Sequence, residues 1–447
     1  MKIEQFEDKN LSHYSYAILS ECRSEIVLID PARNINPYIN FAKQYEARIV
    51  AVIETHPHAD FVSGHLELHE TTGATLYCSK FLGATYPHQP FDNGDEISFG
   101  KINLKALNTP GHSPDSISIV LEHSGKDKAV FTGDTLFIGD CGRPDLRETA
   151  GNVTATREEL ARQMYHSLKQ KLMVLADEVI VYPAHGAGTL CGKALSEANY
   201  STIGAEKLSN WSLSDLTEEQ FVKTLLEDQP FVPKYFLFDV ELNKKGAAKL
   251  AESVGKVNRY ASADTSFIDQ KILVIDTRPL EQFKNGHLPK SINLMANGKL
   301  ETWLGSIIAP GEPFYLIAGN EDQLLEMIYR AATIGYETFI EAAFVLNSGE
   351  IKSELLDLKR FKNEPSAYQI IDLRNPAEVK EHSGFPDSLH IPLPELRDRA
   401  NEIPTDKPVV VHCAGGYRSA AGSSIIQNLL SKDLKVYDLG TAVTQFL

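Results

Sequence analysis

Two histidines and an aspartate alternate in the segment Thr-His-Pro-His-Ala-Asp-Phe at residues 55–61. The apolar run 49–53 precedes the segment and predicts a buried strand that ends just before His56, His58 and Asp60. Imidazole nitrogens and carboxylate oxygens bind first-row divalent metals, and a strand end fixes their direction. A polar surface loop would have the same composition, so this segment alone leaves both interpretations open.

Three further polar clusters in the first half also follow apolar runs. His112 follows residues 102–107, Asp134 follows residues 129–131, and His185 follows residues 179–181. We expect four such strand ends to deliver their side chains to one edge of a sheet. Their combined donors predict a metal centre, and the alternative for each residue is a hydrogen-bonded structural group.

The second half of the chain contains one pattern twice. Apolar runs at 272–275 and 368–371 each lead into Asp-x-Arg and a helical stretch, and further apolar runs follow at 314–317 and 409–411. Strands that alternate with helices predict βαβ crossovers and a parallel sheet. We therefore expect two copies of one α/β unit, with chance similarity as the alternative.

The two copies differ after their later strand. The second copy reads His-Cys-Ala-Gly-Gly-Tyr-Arg-Ser at 412–419, which places Cys413 in a Gly-rich loop before a predicted helix. Loop N–H groups, the helix N-terminus and Arg418 would stabilise a thiolate, so Cys413 is a predicted nucleophile, with an inert buried thiol as the alternative. The first copy reads Ala-Gly-Asn-Glu-Asp-Gln at 318–323 and lacks a cysteine.

These motifs resemble two known families. The Cys-x-x-Gly-x-Arg-Ser loop with its upstream Asp-x-Arg looks like the rhodanese (sulfurtransferase) family, whose cysteine carries sulfane sulfur as a persulfide. The motifs of the first half resemble the metallo-β-lactamase superfamily, an αβ/βα sandwich. The resemblance implies a multidomain α/β chain with a metallo-β-lactamase domain at 1–240, a degenerate rhodanese domain at 255–350 and an active rhodanese domain at 360–447.

The resemblance also implies the metal. The common superfamily motif is His-x-His-x-Asp-His, whose last histidine serves a second metal, and here that position is Phe61. Two tightly held metals are therefore not expected. The mononuclear persulfide dioxygenase branch implies one Fe(II) per chain on His56, His112 and Asp134, a donor set that suits O₂ activation. The groups expected to orient these ligands or metal-bound water are His58, Asp60 and His185.

Substrate recognition is implied in outline only. The Gly-Asp-Cys-Gly-Arg segment at 139–143 is similar to one in the same branch, which implies that Arg143 binds the carboxylate of a thiol carrier. Relatives that use glutathione tend to carry a Tyr soon after the last histidine, whereas residues 186–192 contain none. The carrier thiol therefore stays open. The expected partners are a low-molecular-weight persulfide, O₂ and sulfite, with thiosulfate as the product of sulfide detoxification.

Two other functions are compatible with the motifs. The first is a zinc thioester hydrolase resembling glyoxalase II, fused to rhodanese domains, which the amount and type of bound metal would distinguish. The second treats the C-terminal half as a protein-binding module. Cys413 in its Gly-rich loop disfavours that interpretation for the second copy, while the cysteine-free copy remains a candidate interaction surface.

Composition excludes several classes of protein. The 447 residues predict about three domains. Hydrophobic residues make up 43% of the chain, yet no run reaches the ~18 apolar residues of a membrane span. A net charge of −16 disfavours nucleic acid as a partner. Five scattered cysteines predict reduced thiols, the N-terminal residues lack signal-peptide features, and we expect a cytoplasmic enzyme that self-associates.

Overall fold

The computed structural model describes residues 1–22, 24–146, 149–150, 153–193, 195–260, 267–382, 384–430 and 433–446. They form two compact units, residues 1–252 with 333–335 and residues 253–332 with 336–447. None of the helices in the described part of the chain is long and apolar enough to cross a membrane. All five cysteines are free thiols, as their scattered spacing predicts.

Two six-stranded sheets form the first unit. The strands of the first sheet, which lie in the order β1-β2-β3-β4-β5-β6, are β1 (Lys2–Asp8), β2 (His13–Leu19), β3 (Glu25–Ile29), β4 (Arg48–Ile53), β5 (Thr75–Cys78) and β6 (Gln89–Pro90). The next four strands along the chain belong to the second sheet: β7 (Glu96–Phe99), β8 (Ile102–Asn108), β9 (Ile117–His123) and β10 (Lys126–Gly133). After the hairpin β11 (Thr149–Ala150) and β12 (Val153–Thr154), that sheet is completed by β13 (Ile180–Pro183) and β14 (Ser201–Thr202), in the order β14-β13-β10-β9-β8-β7.

Helices cover the outer faces of these sheets. They are α1 (Asn36–Gln44), α2 (His65–Thr72), α3 (Arg157–Ser167), α4 (Ile203–Ser209) and α5 (Glu218–Leu226). The chain then continues into α6 (Phe236–Lys245) and α7 (Leu250–Gly255). The inner sheet faces pack on one another through residues such as Ile18, Val27 and Phe131, while α1 packs on the first sheet and α3 on the second. Alternating burial along β8 follows from its alternation of apolar and polar residues. The result is the predicted αβ/βα sandwich.

One positional prediction for this unit was wrong. The four polar clusters do not share the edge of a single sheet, because β4 pairs with β3 and β5 in the first sheet while β8, β10 and β13 belong to the second. The side chains that follow β4 therefore meet those of the second sheet across the sandwich. Apolar periodicity marks where a strand ends but does not assign the strand to a sheet.

The second unit contains two parallel sheets. The first has five strands, β15 (Arg259–Tyr260), β16 (Leu273–Asp276), β17 (Ser291–Asn293), β18 (Phe314–Ala318) and β19 (Ile340–Val345), in the order β15-β19-β18-β16-β17. The second has four, β20 (Gln369–Asp372), β21 (Leu389–His390), β22 (Val409–His412) and β23 (Val436–Asp438), in the order β21-β20-β22-β23. The orders β17-β16-β18-β19 and β21-β20-β22-β23 are equivalent, so the sequence repeat is a repeat of topology. Both copies lie in one compact unit.

The helices of this unit follow its strands as βαβ crossovers require. In the first copy they are α8 (Leu280–Asn285), α9 (Leu300–Ile307) and α10 (Glu321–Thr333). In the second they are α11 (Leu358–Asn363), α12 (Pro376–Glu381), α13 (Leu396–Arg399) and α14 (Tyr417–Leu429).

Candidate functional site

Three of the predicted metal ligands lie together in the first unit. His56 follows β4, His112 lies beyond β8, and Asp134 follows β10, and each is 1% exposed. Possible ligand atoms of the three side chains all lie within 4.8 Å of one another. Asp134 Oδ2 lies 3.7 Å from His56 Nε2 and 3.5 Å from His112 Nε2. The fold therefore brings these donors to one point from both sheets.

The hydrogen bonds of His56 fix which of its nitrogens can bind a metal. Thr55 Oγ1 donates to Asp30 Oδ2 over 2.8 Å and lies 2.9 Å from His56 Nδ1. Because the hydroxyl proton is given to Asp30, the Thr55 oxygen accepts the proton on Nδ1. His56 Nε2 is left as a lone pair that faces Asp134. Sequence reasoning missed Thr55 and Asp30, although Asp30 also follows a strand.

His112 is fixed in the same tautomer by the main chain. Its Nδ1 lies 2.9 Å from the carbonyl oxygen of Arg143, and since a carbonyl only accepts, Nδ1 carries the proton. The Arg143 side chain is 1% exposed, forms paired 2.7 Å bonds with Asp145, and donates to the Leu190 carbonyl. The predicted anchoring of a substrate carboxylate by Arg143 stays a prediction, with Asp145 offsetting part of the guanidinium charge.

Asp134 is held by a buried chain of polar contacts through His185 to Asp60. Its Oδ1 accepts from His185 Nδ1 over 2.7 Å, and His185 Nε2 lies 2.8 Å from Asp60 Oδ2. Burial opposes the protonation of His185, but the two carboxylates outweigh it and raise its pKa well above 6.5. Burial likewise opposes the ionisation of Asp134, and the neighbouring histidines nevertheless lower its pKa well below 3.8. His185 and Asp60 thus orient Asp134, and their role in orienting the ligands of a metal stays a prediction.

His58 faces away from the ligand cluster. Its Nε2 lies 3.1 Å from Asp30 Oδ1 and 3.6 Å from Glu54 Oε2, while its ring packs on the His56 ring with the centroids 4.2 Å apart. The Phe61 ring packs against the rings of both His13 and His58, with centroid distances of 3.9 and 4.3 Å. An apolar ring therefore stands directly after Asp60, at the motif position of the second metal's histidine ligand.

A second group of possible metal ligands shares His185 and Asp60 with these contacts. Ligand atoms of Asp60, His185 and Cys191 lie within 4.8 Å of one another, and Cys191 is 1% exposed. Burial raises the pKa of the Cys191 thiol well above 9.0, and the charges of Asp60 and Asp134 add to the effect. This thiol is therefore protonated and packed, as its sequence context suggests.

The donor cluster fits a divalent cation on its own chemistry. Asp134 Oδ2 is buried and has no hydrogen-bond partner among the described residues, which costs about 1–3 kcal/mol if nothing satisfies it. The same oxygen faces the lone pairs of His56 and His112. A cation between these three atoms would remove that cost, and the assignment of the three residues as metal ligands stays a prediction.

The Cys413 loop of the second unit has the predicted anion-binding form. Cys413 follows β22, is 1% exposed, and its Sγ accepts the Gly416 N–H over 3.1 Å. Gly416 has a φ of +96°, a conformation that favours glycine, and α14 begins at the next residue. A Cβ at Gly416 would lie 3.0 Å from main-chain atoms of Gly440 and Thr441. The loop therefore aims a main-chain N–H and a helix N-terminus at sulfur.

Arg418 lies beside this loop but already carries a counter-charge. Its guanidinium forms bonds of 2.5 and 2.6 Å with the two carboxylate oxygens of Glu378. Both Cys413 and Arg418 line a cavity of about 630 Å³. The predicted role of Arg418 in stabilising an anion stays a prediction, with Glu378 offsetting part of its charge.

The Asp-x-Arg motif is structural in both copies. Arg374 holds Asp372 in a paired ion contact of 2.7 Å, and Arg278 holds Asp276 at 2.6 Å. After β18, the first copy enters α10 directly, and Asn320 accepts the Gln323 N–H over 2.9 Å as a cap. At this position the first copy has a capped helix, whereas the second copy has the Gly-rich loop around the Cys413 thiol.

Family models match both halves of the chain. Residues 11–185 match the metallo-beta-lactamase superfamily, and residues 354–443 match the rhodanese-like domain. The second match contains Cys413 and Arg418. The first contains His56, His58, Asp60, His112, Asp134 and His185.

Individual relatives give finer similarities. The chain is 31% identical over 234 residues to the mitochondrial persulfide dioxygenase ETHE1 of Bos taurus, covering 52% of this chain and 82% of that protein. It is 33% identical to a cytoplasmic hydroxyacylglutathione hydrolase of Arabidopsis thaliana, covering 39% and 63% respectively. A crystal structure of a metallo-beta-lactamase from Staphylococcus aureus subsp. aureus COL is 31% identical, with a TM-score of 0.68, and covers 77% of this chain and 98% of that one.

Proposed function

The chain belongs to the metallo-β-lactamase superfamily and carries a C-terminal rhodanese-like domain, and from that premise we propose that it oxidises low-molecular-weight persulfides with O₂ and transfers sulfane sulfur. The observation that carries the proposal is the buried cluster of His56, His112 and Asp134. Similarity to the bovine persulfide dioxygenase supports the oxidation. The rhodanese match around Cys413 supports the transfer.

One Fe(II) per chain fits the cluster, because two imidazoles and one carboxylate with open positions suit iron that activates O₂. Bound there, it would supply the activation of O₂ and of the persulfide sulfur. The chain provides the conditions for that binding. Thr55 and the Arg143 carbonyl keep a proton on each Nδ1, and His185 directs Asp134 Oδ2 toward the Nε2 atoms of His56 and His112.

The proposed oxidation balances without a further reductant. One persulfide, one O₂ and one water give one thiol, one sulfite and two protons. The persulfide supplies all the electrons, since its outer sulfur is oxidised and O₂ is reduced. Sulfite is then available as the acceptor for the sulfur on Cys413, and thiosulfate is the combined product of sulfide detoxification.

Thioester hydrolysis with two zinc ions is the second candidate. The similarity to the hydroxyacylglutathione hydrolase favours it, and the Asp60, His185 and Cys191 donors adjoin the first cluster. Phe61 opposes it, because an apolar side chain stands at the motif position of the second metal's histidine, and its ring packs on the His13 ring with the centroids 3.9 Å apart.

Metal content and substrate choice separate the two functions. The protein is purified without chelator and its iron and zinc are counted by elemental analysis. The same preparation is then assayed with a defined persulfide and with an S-acyl thioester of the same thiol. We expect about one iron per chain and turnover of the persulfide only. Two zinc ions together with thioester hydrolysis would replace the proposal by the alternative.

A further inference from the structure

The helix that follows the Cys413 loop packs along the first α/β copy. β17 is the last strand in the order of its sheet, and α14 of the second copy packs against it. The Asn293 N–H donates to Ser424 Oγ over 3.1 Å, and the Asn428 amide donates to the Ser291 carbonyl over 2.9 Å. Ser424 and Asn428 are four residues apart and therefore share one helix face. The cysteine-free copy thus binds the helix that begins at the thiol loop.

The first residue of α14 makes a further contact with the same copy. The Tyr417 hydroxyl donates to the Met295 carbonyl over 3.0 Å. A Cβ at Gly298 would lie 1.9 Å from the Tyr417 ring, so the two copies approach closely here. Arg330 of α10 donates to the Gly298 carbonyl over 2.9 Å. Tyr417 is therefore bound to a main-chain segment that is itself held in place.

A second contact reaches the loop through the end of β23. Asp438 Oδ1 accepts the Gly440 N–H over 2.9 Å, and Asp438 Oδ2 lies 2.9 Å from Lys284 Nζ of α8 in the first copy. A Cβ at Gly416 would lie 3.0 Å from main-chain atoms of Gly440 and Thr441. The turn that Asp438 fixes is therefore packed directly against Gly416.

Both contacts end at the residue that binds the thiol, because the Gly416 N–H donates to Cys413 Sγ over 3.1 Å. We propose that the cysteine-free copy positions the Cys413 thiol for the proposed sulfur transfer, on which this inference rests. The positioning residues are Tyr417 and Lys284, which keep the Gly416 N–H directed at sulfur. A hydrogen bond depends on direction, and one that is donated to sulfur favours thiolate over thiol.

The transfer needs the thiolate because that form is the nucleophile. Its sulfur forms a bond to the outer sulfur of a persulfide R-S-SH, and the bond between the two persulfide sulfurs breaks. The electron pair of that bond leaves with the carrier as RS⁻, while the proton stays on the transferred sulfur. Cys413 then carries the persulfide.

Other charged or titratable groups also surround the thiol. They are Arg418, which pairs with Glu378 at 2.5 Å, the cavity residues Lys299 and Glu281, and His412, which lies 3.7 Å from Asp372. Substitution of Tyr417 or Lys284 leaves all of these groups in the chain. Lys284 lies outside the described residues that line the Cys413 cavity, so any effect of its loss on the thiol must be transmitted.

The pH dependence of Cys413 alkylation measures the positioning. Iodoacetamide reacts with thiolate, and mass spectrometry of the Cys413 peptide separates this thiol from the other four. Tyr417→Phe keeps the ring but removes the hydroxyl, so the pH of half-maximal reaction rate should rise by about 0.5–1 pH unit. Tyr336→Phe is the matched control. It removes a hydroxyl that donates to the Ile308 carbonyl over 2.9 Å within the first copy, and it should leave the profile unchanged.

Two charge removals separate positioning from a direct electrostatic effect. Lys284→Met and Asp438→Ala both release the turn at Gly440, so both should raise the pH of half-maximal alkylation. Acting through space alone, loss of the cation would raise that pH and loss of the anion would lower it. Lys284→Arg should restore the wild-type profile. An unchanged profile in Tyr417→Phe, or no rise in Asp438→Ala, would overturn the positioning role.

Sulfur loading tests the transfer reaction separately. The wild type is treated with a low-molecular-weight persulfide, and mass spectrometry counts the sulfur added to Cys413. Below the pH of half-maximal alkylation, loading of Tyr417→Phe and Lys284→Met should slow about three- to tenfold, in proportion to the thiolate that is lost. Failure of the wild type to load would refute the transfer reaction, and the alkylation profiles would still decide whether the first copy positions the thiol. Should one variant fail to fold, the other reports on the same N–H.

Discussion

The Thr55 hydroxyl is the most informative group to remove from the candidate metal site. Thr55→Val keeps the shape of the side chain but deletes the donor to Asp30 and the acceptor for His56 Nδ1. Without that acceptor His56 is free to carry its proton on Nε2, where it could no longer bind a metal. We expect metal affinity to fall about 10- to 100-fold, or roughly 1.4–2.8 kcal/mol.

The assay is an anaerobic competition titration of Fe(II), or of Co(II) as a spectroscopic substitute, against a chelator of known affinity. Thr109→Val is the matched control, because its buried hydroxyl lies 2.9 Å from those of Ser118 and Thr135 but contacts no proposed ligand. Both variants should lose stability through unpaired buried groups, by about 1–3 kcal/mol. Equal metal affinity in Thr55→Val and the wild type, or an equal loss of affinity in Thr109→Val, would refute the proposed role of the Thr55 hydroxyl.

Three further predictions follow from the two sites. Cys413→Ser should shift the product from thiosulfate to sulfite without slowing O₂ uptake. Ion chromatography measures both anions, and an unchanged ratio of thiosulfate to sulfite would rule out the transferase role of Cys413. Phe61→His should raise the metal content above one equivalent, since it adds a possible ligand beside Asp60, whereas Phe61→Leu should not. Equal metal content in the two variants by elemental analysis would contradict the inference that Phe61 prevents binding of a second metal. Asp372→Asn leaves Arg374 buried without its counter-charge and should cost about 3–5 kcal/mol of unfolding free energy at pH 7. Burial opposes the ionisation of Asp372, but hydrogen bonds from Arg374 lower its pKa below 3.8. The stabilisation from the Asp372 carboxylate is therefore complete above about pH 4, and it is lost as the pH falls through the lower pKa of the folded state. Urea unfolding over that range should therefore show a shrinking difference from the wild type, and a constant difference would contradict the ion-pair explanation.

The sequence located the two sites because strand ends are easy to read. Apolar runs before His56, His112 and Asp134 marked the positions where side chains leave a sheet, and the structure brings those three residues together. The equivalent strand orders of the two C-terminal copies were likewise implied by the repeated Asp-x-Arg. Periodicity and repetition carry this information directly in the chain.

The supporting contacts were less accessible to sequence reasoning. Thr55 and Asp30 are single polar residues that follow the neighbouring strands β4 and β3. Their importance depends on the hydrogen bonds between them, which only the pairing of these strands makes possible. Residue spacing also did not indicate that Asp145, two residues after Arg143, turns back to hold its guanidinium. Such contacts depend on side-chain direction and loop path, which residue spacing does not specify.

O₂ uptake by the reconstituted protein tests the central claim most directly. Metal-free protein is loaded anaerobically with Fe(II) and mixed with a defined persulfide in a sealed oxygen electrode, with metal-free and zinc-loaded protein run beside it. We expect the Cys413→Ser variant to consume one O₂ for each sulfite formed, and to do so only with Fe(II). Uptake no greater than that of the metal-free protein would contradict it.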